Sequence, residues 1–243
     1  ARGRAKTRYC PIKPMNLQTD VVRADQATPH PPAGRMRPPA NVRICAMIHP
    51  TTPLLVFSGS TRADSLNLKL AKATADLASA AGAPVTLLSL SDFDLPIYNG
   101  DLEARGTPAD VIRLKEVLHA HPAWIISTPE YNGSYPALLK NAIDWASRPI
   151  SGNTEWAVGA KPFAGKVVGL MAASPGALGG IRSLSHLSPL LLQLQCWVTP
   201  KQFALAKAGE AFDADGRIVN DATRAGVQGV IDQALWAARK FQG

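Results

Sequence analysis

From Pro53 onward, apolar runs of strand length alternate with apolar positions spaced as on one face of a helix. Leu54–Ser58 is a short continuous apolar run that closes on glycine and polar residues, the pattern of a strand buried on both faces. Leu66, Leu70, Ala73 and Leu77 repeat at helical spacing and predict a helix over Ser65–Ala81. Val85–Leu90 predicts a second strand. Thr107-Pro108-Ala109-Asp110 predicts a helix start in which Thr caps, Pro sits in the first turn and Asp completes the box; Val111, Leu114 and Leu118 then face the core. Ala123–Ser127 predicts strand three, with Leu139, Ala142, Ile143 and Ala146 the inner stripe of the helix after it. Lys166–Ala173 predicts strand four, then a helix from Gly180 to Leu194 and a fifth strand near Cys196–Phe203. Val227, Ile231, Ala234, Leu235 and Ala238 mark a last helix. Pro189 falls inside the helix before it, where loss of one backbone donor costs roughly 3 kcal/mol and predicts a kink or a restart.

Five β-α units in strict alternation imply an α/β fold with a doubly wound, five-stranded parallel sheet and helices on both faces. In such sheets ligands collect beyond the carboxyl ends of the strands, at the switch point. The chemistry is therefore expected in the loops after Ser58, Ser127 and Ala173.

Charge divides unevenly along the chain. Residues 1–50 hold nine Lys/Arg against two Asp/Glu and eight prolines, whereas the remaining 193 hold 17 against 16. The expected folded part, residues 51–243, is thus near neutral, which argues against nucleic acid as a partner. The basic, Pro-rich extension 1–50 buries too little apolar surface to offset its ordering entropy and is expected to be disordered. Two further readings of it are an organellar targeting segment and an over-extended gene start, with Met47 the initiator; residues 1–46 are expected to be dispensable. No apolar run is long enough to span a membrane. Cys10, Cys45 and Cys196 form neither a disulfide framework nor a metal pattern, which fits a cytoplasmic location and predicts no metal site.

The first loop runs Gly59–Asn67 (GSTRADSLN). It places hydroxyls, an amide and the Arg62 guanidinium around a helix start, whose free N–H groups and positive dipole end attract an anion. It lacks the glycine spacing of dinucleotide and nucleotide-triphosphate cradles, so a terminal monophosphate fits better. A plain reading, Ser65 as a helix cap and Arg62 in solvent, accounts for the loop equally well. The second loop, Thr128–Pro136 (TPEYNGSYP), carries a proline, an acid and two aromatics, more than a turn requires. The third, Ser174–Gly180 (SPGALGG), has three glycines in five positions, which lets backbone approach a ligand.

With these strings in this order behind these strands, the chain from about Leu54 to Gln242 resembles the NADPH-dependent FMN reductase family, the flavodoxin-like group that includes quinone, chromate and azo-dye reductases. The second string, continued through Trp145 to Pro149, is the most specific of the three. The resemblance implies strand order 2-1-3-4-5, FMN as cofactor, and NADPH or NADH as co-substrate. By resemblance, Ser60, Arg62, Ser65 and Asn67 hold the FMN phosphate, Pro129, Glu130, Tyr131 and Asn132 run beside the ring, and Ser174, Gly176 and Gly179 close its other edge. It also implies a homodimer or homotetramer and a ping-pong transfer of electron pairs to a quinone-like acceptor. The flavin does that chemistry, so no catalytic side chain is assigned. Gly133 stands where many relatives carry an aromatic, which puts a tetramer contact in doubt.

Other residues have plainer readings. Glu130 is the nearest acid to the expected ring, but a solvated loop acid or a helix-start partner explains it. His119 and His121 sit at a helix end, His186 lacks a second ligand, and Cys196, Trp197, Trp145 and Trp236 read as packing. Two alternative functions share the fold: a flavodoxin-type carrier, and a flavin-free regulatory or interaction domain. Carriers of the first kind are typically acidic and lack an arginine in the phosphate loop, unlike this chain.

Overall fold

The structure is a computed structural model that describes residues 52–242; the expectations for the basic N-terminal segment and its boundary lie outside these residues. Strand β1 (Leu54–Ser58) leads through Ser65 into helix α1 (Leu66–Ala80), and β2 (Val85–Leu88) follows. A short helix α2 (Gly100–Arg105) precedes α3 (Ala109–Ala120) and β3 (Ala123–Ser127). Then come α4 (Ala137–Ala146), β4 (Val167–Ala173), α5 (Ile181–Gln193), β5 (Trp197–Val198), β6 (Phe203–Leu205) and α6 (Asp221–Gln242). The sheet is parallel throughout in the order β2-β1-β3-β4-β5, with β6 also pairing β4.

Period-two alternation within the central strands builds two cores. Leu54, Val56, Ala123, Ile125, Val167 and Met171 face α1 and α6. Leu55, Phe57, Trp124, Ile126, Val168 and Leu170 face α3, α4 and α5. Burial on both faces is why these strands read as unbroken apolar runs. Gly169, inside β4, lets α6 come close, since a Cβ there would stand 2.7 Å from Val230 Cγ1.

The elements depart from the sequence reading in four places. The expected fifth strand is two segments, β5 and β6, separated by Thr199–Gln202, where Pro200 has no N–H to give a ladder. Of the kink or restart expected at Pro189 there is no restart, since α5 is one helix through it. Thr107 does not cap α3: Pro108 is the cap residue and makes no side-chain bond, while Asp110 accepts the Asp94 N–H at 2.7 Å and pairs with Arg113. Helix α2 carries no buried residue, so periodicity could not announce it; the Asn99 carboxamide, accepting from Asp101 N–H at 2.7 Å, starts it.

Candidate cofactor site

The loops after β1, β3 and β4 meet in one cleft of about 230 Å³ at the carboxyl ends of those strands. Its walls are Ser60, Arg62, Ser65, Leu66 and Asn67 from the first loop, Pro129, Glu130 and Tyr131 from the second, and Ala173, Ser174 and Pro175 from the third. Eight of the eleven residues singled out from sequence therefore line it. Asn132, Gly176 and Gly179 do not.

Three serines around the cleft share one arrangement. Ser65 Oγ accepts the Leu68 N–H at 3.4 Å, Ser60 Oγ accepts the Arg62 N–H at 3.4 Å, and Ser174 Oγ accepts the Gly176 N–H at 3.1 Å. Each hydroxyl is thus held by backbone as an acceptor, which leaves its own O–H to donate elsewhere. The first N–H groups of α1 have no intrahelical acceptor and add donors beside Ser65. Among the described residues Arg62 forms no salt bridge; its only side-chain bond is to Asp64 O at 3.2 Å. Lys69 pairs with Asp64 at 3.0 Å and holds its carboxyl below the usual range, which leaves the Arg62 guanidinium without an acid of its own among these residues. An exposed guanidinium, hydroxyl donors and a helix start give this end of the cleft the donor chemistry that suits an anion.

Asn67 is bonded within the fold through its side chain. Its side chain is 2% exposed: Oδ1 accepts Ala173 N–H at 2.9 Å and Ser127 Oγ at 3.0 Å, and Nδ2 donates to Ala173 O at 2.9 Å. Those bonds commit the carboxamide to tying α1 to the ends of β3 and β4.

At the other end, Tyr131 and Ser134 exchange backbone hydrogen bonds of 2.8 and 3.0 Å around Asn132 and Gly133. Both central residues have positive φ, 51° and 78°, the two-residue turn that Asn-Gly favours. Asn132 thereby forms the turn, while Tyr131 stays 56% exposed at the cleft mouth. Gly179 also lies elsewhere than expected: its Cβ would stand 2.7 Å from the Ala204 carbonyl carbon, so the close approach there is to β6.

Glu130 is a helix-start partner. Its Oε1 accepts Arg182 Nε at 2.6 Å and lies 2.5 Å from Nη2, and its Oε2 accepts the Arg182 backbone N–H at 3.2 Å. Arg182 is the partner that the sequence alone did not single out; its signal is a cation two residues after the Gly179-Gly180 pair. Trp197 and Trp236, read as packing, are both exposed, Trp197 lying against Phe241; Trp145 and Cys196 are core. Among the described residues no cluster of metal-ligating side chains forms. A larger hollow of about 640 Å³ lies beside α2 and the loop after α4, but its charges, Glu103 and Arg148, close on each other at 2.9 Å.

A family profile described as NADPH-dependent FMN reductase matches residues 52–210, the span that carries all three loops. The chain belongs to that family. An NAD(P)H-dependent FMN reductase of Pseudomonas aeruginosa is 37% identical over 194 residues, covering 78% of this chain and 97% of the relative. A quinone reductase of Pseudomonas putida is 35% identical over 184 residues, covering 74% and 92%. Among solved structures, FerB, a flavoenzyme NAD(P)H:(acceptor) oxidoreductase from Paracoccus denitrificans, superposes with a TM-score of 0.65 at 34% identity, covering 78% and 98%. This member of the FMN reductase family is accordingly an oxidoreductase with FMN as its cofactor and NAD(P)H as its electron donor, on a flavodoxin-like fold.

Proposed function

We propose that this chain reduces quinones or similar small planar acceptors with NAD(P)H, and that its FMN lies in the cleft between Arg62 and Tyr131. The observation that carries this reading is the convergence of three loops, distant in sequence, on one cleft at the strand ends. The donor set suits the cofactor. Arg62, the Ser60 and Ser65 hydroxyls and the free N–H groups at the start of α1 match a terminal phosphate, which favours FMN over FAD. Pro129 and Tyr131 offer flat apolar surface for a planar ring, with Ser174 opposite. Asn67 serves by holding those walls at a set spacing.

Bound FMN supplies hydride chemistry, and the protein supplies binding, orientation and electrostatics. Exposed Tyr131 leaves the mouth open, so donor and acceptor can occupy the same place in turn. No side chain is assigned as acid or base, since Glu130 is already neutralised by Arg182. The acceptor class is taken from the quinone reductase relative. A cytoplasmic homodimer or homotetramer is part of the proposal and rests on sparse cysteine usage and on the family resemblance.

The test is titration of the purified, flavin-stripped chain with FMN and with FAD, followed by NADPH oxidation with 1,4-benzoquinone. One equivalent of FMN is expected to bind, with flavin fluorescence quenched and quinone-dependent turnover. A reconstituted chain with no flavin absorption sinks the cofactor assignment; a flavin-loaded chain inert to quinone sinks the acceptor.

A further inference from the structure

We propose that Arg182 is a positioning residue for the cofactor cleft, acting through Glu130 and setting both the place of the Tyr131 wall and the charge beside the ring. The inference rests on the FMN reading above.

The pairing is more specific than an ordinary surface ion pair. Both carboxylate oxygens of Glu130 are engaged by one residue, Oε1 by the guanidinium and Oε2 by the backbone N–H at the start of α5. The acid is only 10% exposed, while the arginine is 62% exposed. A largely buried carboxylate lining a cleft that takes an anionic cofactor is costly unless a fixed positive charge accompanies it. Arg182 and the positive end of α5 together supply that charge.

The backbone is built for this contact. Gly180, the cap residue of α5, has φ 85°, and a Cβ on it would stand 3.0 Å from Ala172 Cβ and 3.7 Å from Glu130 Cβ. The positive φ and the close approach to Ala172 of β4 favour glycine here, and they bring the start of α5 within ordinary contact distance of Glu130. Glu130 is flanked by Pro129, which gives no N–H, and by Tyr131, whose hairpin begins at once. Fixing the Glu130 carboxylate to α5 thus fixes the root of the Tyr131 wall. The loop after β3 and the helix after β4 join at 52 residues' separation through this one pair.

The experiment compares the full chain with Arg182→Met, Arg182→Lys, Glu130→Gln and the double variant Glu130→Gln/Arg182→Met. It reads FMN affinity of the stripped protein by fluorescence quenching, the midpoint potential of the bound flavin, and the thermal midpoint. Arg182→Met is expected to weaken FMN binding about tenfold or more, the loss of one charge-assisted contact. The double variant is expected to bind more tightly than Arg182→Met, because the stranded carboxylate has gone. The potential should fall in Arg182→Met and rise in Glu130→Gln; a purely architectural tie would move both the same way. Arg182→Lys keeps the charge without the fork and is expected to lie between wild type and Arg182→Met, which preserves the test if the methionine variant does not fold. Wild-type affinity in every variant, a double variant worse than Arg182→Met, or potentials shifting in one direction overturns the proposal. A wild-type chain that takes up no FMN overturns the cofactor reading as well, and so separates the two failures.

Discussion

Asn67 and Ala173, 106 positions apart, exchange two hydrogen bonds of 2.9 Å, the Ala173 N–H donating to Oδ1 and Nδ2 donating to the Ala173 carbonyl. With Ser127 Oγ donating to the same Oδ1, the carboxamide completes the backbone bonding of β4 on the side where β3 has ended, β6 pairing Ala173 on the other. A side chain used in this way joins the Arg62 end of the cleft to its floor.

Asn67→Ala should therefore cost the fold before it costs chemistry. It strands a buried backbone N–H, a carbonyl and a hydroxyl, each worth about 1–3 kcal/mol when left unpaired, with partial relief by water. A loss of roughly 2–4 kcal/mol in urea denaturation is expected. Ser60→Ala, by contrast, removes an exposed loop's local bond and should leave the denaturation midpoint nearly unchanged while weakening FMN. Equal stability of the two variants would refute this division of labour.

Arg62→Ala should weaken FMN binding by roughly 10- to 150-fold, the worth of a charge-assisted contact of about 1.5–3 kcal/mol. Its contact, at the phosphate end, is the same in ground and transition states, so it changes occupancy and not the chemical barrier. Stopped-flow reduction by NADPH at saturating FMN is expected to run at the wild-type rate. A variant that binds FMN normally but is reduced slowly places Arg62 at the nicotinamide instead.

Asn132 is held at φ 51°, a conformation asparagine tolerates and glycine adopts freely. Asn132→Gly should keep the turn, the Tyr131 wall and FMN affinity. Asn132→Ala is expected to lose about 1–2 kcal/mol to left-handed strain and to weaken FMN by loosening Tyr131. Affinity lost equally in both variants would show that the carboxamide itself touches the cofactor.

Lys115 is fully buried, donates to Ala146 O at 2.7 Å and Arg148 O at 2.8 Å, and lies over the Trp156 ring. Burial lowers its pKa from 10.5 to about 8. Between those values the unfolded chain binds a proton that the folded chain has released, so stability rises with pH. Wild type compared with Lys115→Met should therefore gain stability from pH 8 to pH 10.5 and show no change in the difference below that window. Denaturant melts of both proteins across this range provide the check; a difference that falls with rising pH would reverse the sign.

Much of the fold is local and was legible as such. Runs such as Leu54–Ser58 and Ala123–Ser127 are apolar because strands buried on both faces must be, and Ser65 caps α1 with a bond three residues long. Strict alternation of such runs with helices carried the parallel sheet and placed the three loops together at one end, while the strand order came with the family resemblance. Eight of the eleven residues that the resemblance pointed to line the cleft from those loops; Asn132, Gly176 and Gly179 do not.

What the tertiary structure alone decided depends on pairs far apart in the chain. The Asn67 carboxamide finds its partners at Ala173 and Ser127, and Glu130 stayed an ambiguous loop acid until Arg182 closed on it. Gly179 read as room for a ligand, but the backbone that fills the space is β6. The break between β5 and β6, and the exposure of Trp197 and Trp236, likewise depend on what lies across the sheet edge. Periodicity reports which face of an element is apolar. It carries no information on which distant polar group will satisfy a buried one, because that is set by the packing of whole elements.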